Sequence, residues 1–185
     1  MSDDLATNAN PDPFWPGEYT YCPMCATELV DVVRAGSLRK GCPACDWIHF
    51  RDPGVGAAVL VRDDQGRVLL VKRGLSSTMP GRWCIPAGFV DYGEEVREAA
   101  RRELEEETGL IAQVGDVVFV RSNFHDPAKL TVGIWFDGTV VGGELAAGDD
   151  AVDVGWFSLD ALPDLAFSTD EELLSRLRGS AVGSG

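Results

Sequence analysis

From Gly88 to Leu110 the chain reads GFVDYGEEVREAARRELEEETGL, and its acids are spaced as metal ligands on a helix. At about 100° per residue, Val96, Ala99 and Ala100 share one arc, and the same arc continues through Glu103, Glu106 and Glu107. An inward stripe that turns from apolar to anionic opposes folding, because like charges at i,i+3 and i,i+4 repel unless a cation lies between them. Carboxylate oxygens suit a hard divalent ion such as magnesium or manganese. Arg97, Glu98, Arg101 and Glu105 point elsewhere, whereas Arg102 lies between the acids, where it can reach Glu94 and a ligating carboxylate and orient both.

The neighbouring elements must hold that face in place. Asp91 and Glu94 read as a capping box, and Gly109 stands where a helix C-terminus favours a left-handed residue. Ahead of the helix, Trp83-Cys84-Ile85-Pro86-Ala87-Gly88 is rich in Pro and Gly and predicts a loop beside the acids, with the Gly88 carbonyl as a further candidate ligand. Val55–Arg62 and Val68–Arg73 predict strands of a hairpin around Asp63-Asp64-Gln65-Gly66. Further strands are expected at Val117–Arg121, Leu130–Phe136 and Val152–Phe157, and a closing helix at Asp170–Leu177. A mixed sheet with helices on its faces, an α/β fold, follows from this alternation.

A second constellation is Cys22-Pro-Met-Cys25 and Cys42-Pro-Ala-Cys45, with sixteen residues between the knuckles. Four thiolates so spaced can surround one tetrahedral zinc, leaving no open position, so the metal is expected to be structural. Disulfides or a redox dithiol are the alternatives. No signal-peptide pattern opens the chain, which predicts a reducing, cytoplasmic setting where zinc is favoured. A module of roughly thirty residues is too small to fold on its own apolar core.

The segment 88–110 resembles the Nudix box of the Nudix hydrolases, written G-x5-E-x7-R-E-U-x-E-E-x-G-U with U aliphatic. Gly88, Glu94, Arg102, Glu103, Leu104, Glu106, Glu107, Gly109 and Leu110 fill every fixed position, within 23 of the 185 residues. The resemblance implies an α/β/α sandwich that cleaves a nucleoside diphosphate linked to another moiety, with magnesium or manganese on Gly88, Glu103, Glu106 and Glu107. It makes Glu103, Glu106 and Arg102 the expected catalytic residues. The general base is expected among the box glutamates or on a neighbouring loop. In the family an acid before the Trp-Phe strand often joins the metals or serves as base, which points to Asp153 first and Asp150 second.

A zinc ribbon joined through Ile48-His49-Phe50-Arg51-Asp52-Pro53 to the first strand further resembles the zinc-ribbon Nudix hydrolases, which include NADH pyrophosphatases and enzymes of the ADP-ribose and FAD group. The NADH type carries Ser-Gln-Pro-Trp-Pro-Phe-Pro downstream of the box, where this chain has Arg121-Ser122-Asn123-Phe124-His125-Asp126-Pro127. Leu165-Ala166-Phe167-Ser168 resembles a segment of the ADP-ribose and FAD group, which favours an ADP-ribose-like substrate and release of AMP. NADH pyrophosphatase is the alternative, followed by a catalytically silent nucleotide sensor that regulates a partner. Many relatives are dimers, which implies a homodimer.

Composition bounds the rest. The chain has 185 residues, 45% of them hydrophobic, enough for one core and a small appendage. The expected division is a tail at 1–19 in which Phe14 and Trp15 can dock, the ribbon at 20–50, the hydrolase domain at 51–178 and a disordered tail at 179–185. A net charge of −14 and only Arg34, Arg39 and Lys40 as basic residues between Cys22 and Cys45 argue against nucleic acid as a partner. No apolar run is long enough to span a membrane. Arg73 and Arg82, flanking the loop before the box, are candidates for phosphate or ribose, and Phe124 for the base. Cys84, His49 and His125 read as packed or surface residues, and Trp135 and Trp156 as core.

Overall fold

The structure, a computed structural model, describes residues 19–124 and 130–182, with side chains described through Gly179. Phe14, Trp15 and His125, like most of the two tails, lie outside the described residues. The chain forms two compact units, one ending at Asp52 and one beginning at Pro53.

In the first unit β1 (Val30–Arg34) and β2 (Ser37–Gly41) form an antiparallel hairpin. Gly36 sits at its turn with φ +75°, a conformation glycine adopts without penalty. The core is small: Cys22, Leu29 and Cys42, with Trp47 packed against them.

The second unit is a sheet assembly between two helices. β3 (Gly54–Val61) runs parallel to β8 (Thr131–Gly143) and antiparallel to β6 (Ala87–Phe89), while β7 (Leu110–Asn123) closes the edge beyond β8. A second sheet has the order β5 (Trp83–Cys84), β4 (Val68–Arg73), β9 (Ala151–Phe157). Period-two alternation decides the layers. Ala57, Val59 and Val61 of β3 pack with Ala99, Ala100 and Leu104 of α1 (Val96–Thr108), whereas Ala58 and Leu60 pack with Leu173 and Leu174 of α2 (Ser168–Val182). A strand buried on both faces reads as the continuous apolar run seen here, and the result is the expected α/β/α arrangement with a mixed sheet. Leu104 is fully buried beside Phe136, so Leu104→Ala should destabilise this unit by about 3 kcal/mol in urea unfolding, the cost of a large-to-small change in a packed core.

Several local expectations are corrected. β3 and β4 do not pair as a hairpin ladder: beyond the turn only the isolated bridge Arg62↔Val68 links their backbones, and the strands belong to different sheets. Both edges of β3 are taken by β6 and β8, and both edges of β4 by β5 and β9. The stretch from Trp83 to Gly88 is not a loop, since β5 and β6 pair with β4 and β3 on either side of Ile85-Pro86. The Asp91 amide donates to Glu94 Oε2 at 3.0 Å as a capping box requires, but the helix does not start there: Gly93 has φ +87°, which breaks any helix, and Glu95 is the N-cap. The Glu95 carboxylate accepts from the amides of Arg97 and Glu98 at 2.8 and 3.2 Å. Gly109 ends the helix in the left-handed conformation as expected, with φ 69°. β7 and β8 extend well past the expected spans, because register shifts at Ile111/Ala112, Val114/Val117 and Val117/Phe119 interrupt the alternation by which strands are read. α2 continues to Val182, beyond the Asp170–Leu177 expectation and into residues assigned to the tail.

Candidate active site

Helix α1 meets β6 where the acidic arc begins. A Cβ on Gly88 would lie 2.0 Å from the Glu103 carboxyl carbon, so any side chain there must displace that carboxylate from its place against the β6 backbone. The three arc acids differ in environment. The Glu107 residue is 3% exposed and the Glu103 side chain 14%, while the Glu106 side chain is 48% exposed. Arg102 ties two of them, Glu103 and Glu106, to Glu94: its Nε and Nη2 donate to the two Glu94 oxygens at 2.9 and 3.0 Å, and Nη1 donates to Glu103 Oε1 at 2.7 Å and Glu106 Oε2 at 3.0 Å. The bonds to Arg102 hold Glu94 down at about 2, so it stays anionic. Arg101 faces away, paired with Glu98 and Glu105.

Glu107 accepts from the Ala87 amide at 2.9 Å. Burial, with the charges of Asp150 and Glu103 added, pushes its carboxyl up to about 8 against that bond. Burial also raises Glu103, opposed by Arg102. Crowded, desolvated carboxylates are the environment that a bound cation relieves. Gly88→Ala should therefore push Glu103 aside and lower magnesium-dependent turnover by about 10²-fold, read from kcat at saturating metal.

Gly88, Arg102, Glu103 and Glu107 line a cleft of about 520 Å³, as do Asp149, Asp150, Arg73 and Asn123. The segment after β8 brings in the two aspartates: the Ala146 and Gly148 amides donate to the Thr108 and Glu107 carbonyls at the end of α1, at 3.0 and 3.1 Å. Asp150 Oδ2 accepts from Ser77 Oγ at 2.6 Å. Asp153, to which the sequence points first, is exposed on β9 and absent from the lining, its Oδ1 accepting from the Val154 amide at 2.9 Å. Val154 packs into the core, so Asp153 beside it faces out, and the register shift at Lys72/Arg73 parts it from buried Ala151, while the preceding turn carries Asp149 and Asp150 to the cleft.

The candidate substrate residues also separate. Arg73 reaches the cleft but is engaged: Nε donates to the Thr78 carbonyl at 2.5 Å, and the guanidinium lies 5.1 Å from the Phe167 ring centroid. Arg82 donates to the Leu165 carbonyl at 3.3 Å and does not line the cleft. Phe124 is 71% exposed and also off the lining. Asp170 was missed from sequence. It is fully buried in α2, lines the cleft, and accepts from the Ile85 amide and Trp135 Nε1, each at 3.0 Å; burial pushes its carboxyl up to about 6. In sequence it is indistinguishable from an ordinary acid in a helix's first turn.

The NUDIX domain family model matches residues 52–177. The chain belongs to the Nudix family. An ADP-ribose pyrophosphatase of Methanocaldococcus jannaschii is 39% identical over 130 residues, covering 70% of this chain and 76% of that protein. The NAD-capped RNA hydrolase NudC of Chromobacterium violaceum is 32% identical over 148 residues, 80% of this chain, which spans 53% of that relative. The solved structure of a NUDIX hydrolase from Nitrosomonas europaea superposes with a TM-score of 0.77 at 25% identity, covering 90% of this chain and 94% of the other. Nudix hydrolases use a divalent metal, and the acids of this cleft are an oxygen donor set of the right hardness for one.

The cysteines of the first unit form a separate cluster. All four Sγ atoms lie within 4.8 Å of one another, with Cys25–Cys42 at 3.4 Å and both Cys22–Cys45 and Cys25–Cys45 at 3.6 Å. Zinc–sulfur bonds of about 2.3 Å set tetrahedral edges of roughly 3.8 Å, so the set fits zinc. The two knuckles share one conformation: the Met24 and Ala44 amides each donate to the preceding thiol at 3.4 Å, and Ala26 and Asp46 each have φ 57°. No helix among the described residues is long and apolar enough to cross a membrane.

Proposed function

We propose that this chain is a magnesium- or manganese-dependent hydrolase that cleaves the pyrophosphate of a nucleoside diphosphate derivative, with ADP-ribose or FAD the favoured type and AMP the product. One observation carries the reading: Glu103, Glu107, Asp149 and Asp150 converge in one cleft beside Gly88, with Arg102 forked onto Glu94, Glu103 and Glu106. The 39% identity to an ADP-ribose pyrophosphatase supports the substrate. Gly88, Glu103, Glu106 and Glu107 are the proposed metal ligands from the box, with Asp150 and Asp149 in the place first given to Asp153. When bound, the metal supplies a Lewis acid for phosphate oxygens and lowers the pKa of a water. Arg102 holds Glu103 and Glu106 in position, and the Ala87 amide does the same for Glu107. Water adds to phosphorus, the bond to the bridging oxygen breaks, and a cleft carboxylate takes the proton.

Residues 20–50 form a structural zinc ribbon in this reading and 51–178 the hydrolase domain, in a cytoplasmic homodimer acting on a small nucleotide. NADH or NAD-capped RNA cleavage is the second reading, favoured by the 32% identity to NudC. The net charge of −14 opposes RNA. Hydrolysis of ADP-ribose, FAD, NADH, dinucleoside polyphosphates and nucleoside triphosphates, with products separated by chromatography, tests both. AMP released fastest from ADP-ribose or FAD supports the first reading, faster NADH cleavage the second, and tight binding without turnover a sensor.

A further inference from the structure

Two buried carboxylates grip one short run of backbone. The Ile85 amide donates to Asp170 Oδ2 at 3.0 Å, the Pro86 carbonyl accepts from the Val59 amide at 3.1 Å, and the Ala87 amide donates to Glu107 Oε2 at 2.9 Å. Donors two residues apart are thus held by acids from helices on opposite faces of the sheet. The next residue is Gly88, whose backbone lies against Glu103. Asp170 has a second tie, to Trp135 Nε1 at 3.0 Å. The indole lies against Gly133, where a Cβ would come within 2.5 Å of its ring.

A desolvated carboxylate is an expensive way to seat a tryptophan, and the described bonds to Asp170 come from neutral N–H groups rather than a cation. Two acceptor oxygens on one rigid group can, however, hold the segment that bears Gly88 at a set distance from β8. We propose that Asp170 is a positioning residue of this active site: by joining the Ile85 amide to Trp135 it fixes the Ile85–Gly88 backbone, and so places the Gly88 carbonyl and the anchored Glu107 for metal binding. The inference rests on the hydrolase reading for its catalytic consequence, but its geometry can be tested without it.

Asp170→Asn offers one acceptor and turns an amide NH2 toward the second donor. In the full-length protein it should weaken Mn2+ binding, measured by electron paramagnetic resonance without substrate, by about tenfold or more. The same variant should lose a similar factor in kcat with KM for ADP-ribose within about threefold, and exchange the Ile85 and Ala87 amides faster. Adding Trp135→Phe removes the opposed donor and should bring Mn2+ binding and kcat back to the level of Trp135→Phe alone and no further, a coupling that independent sites do not show. A variant that melts lower yet keeps Mn2+ affinity and kcat within about twofold of the parent overturns the proposal. If Asp170→Asn does not fold, Trp135→Phe alone decides: faster exchange at Ile85 with measurably weaker Mn2+ binding supports it, and parental values for both overturn it. A parent that binds Mn2+ but hydrolyses none of the nucleotides overturns the hydrolase reading, while the metal and exchange data still judge Asp170.

Discussion

Glu103→Gln is expected to lower turnover of ADP-ribose at saturating magnesium by about 10²- to 10⁴-fold, with little effect on folding. The glutamine keeps the shape that Gly88 accommodates and can still meet Arg102, so the loss isolates the charge. Glu106→Gln should fall in the same direction by about 10²-fold, although its side chain is more exposed, because it shares Arg102 Nη1 with Glu103. Steady-state kcat across a magnesium titration checks both. Turnover of the Glu106 variant within a few-fold of the parent would remove it from the catalytic set. A loss at Glu103 that higher magnesium restores would make that residue a contributor to metal affinity alone.

Cys42→Ser is expected to unfold the first unit while leaving the second intact. That unit has a core of three buried residues and one partly buried tryptophan, and two of the three are cysteines of the cluster. Structural zinc in such modules contributes about 10–16 kcal/mol of apparent binding free energy, far more than so small a core can replace. Metal analysis should fall from about one zinc per chain to near none, and residues 20–50 should become protease-sensitive. The unit from Pro53 onward has two large apolar clusters of its own and should retain its unfolding transition. Protease resistance at 20–50 after complete chelation would refute the structural role of the metal.

How much of this was legible beforehand depended on whether the signal was local. The cysteine knuckles, the helix carrying the acids, its left-handed stop at Gly109 and the Arg102 fork follow from spacing, because residues three and four apart must share a helix face. The apolar runs of β3 and β4 announced buried strands, but not their partners, since pairing is a competition among all available edges.

By itself, then, the sequence determined the family, the α/β class and the four-thiol cluster, because motif spacing and local periodicity record them. Only tertiary structure shows that Asp149 and Asp150 line the cleft while Asp153 does not, and that Asp170 reaches it across 85 residues to bond Ile85. Those choices turn on where distant backbone is anchored, by carbonyls at the end of α1 that accept from the Ala146 and Gly148 amides and by one buried carboxylate, and no periodicity records such contacts.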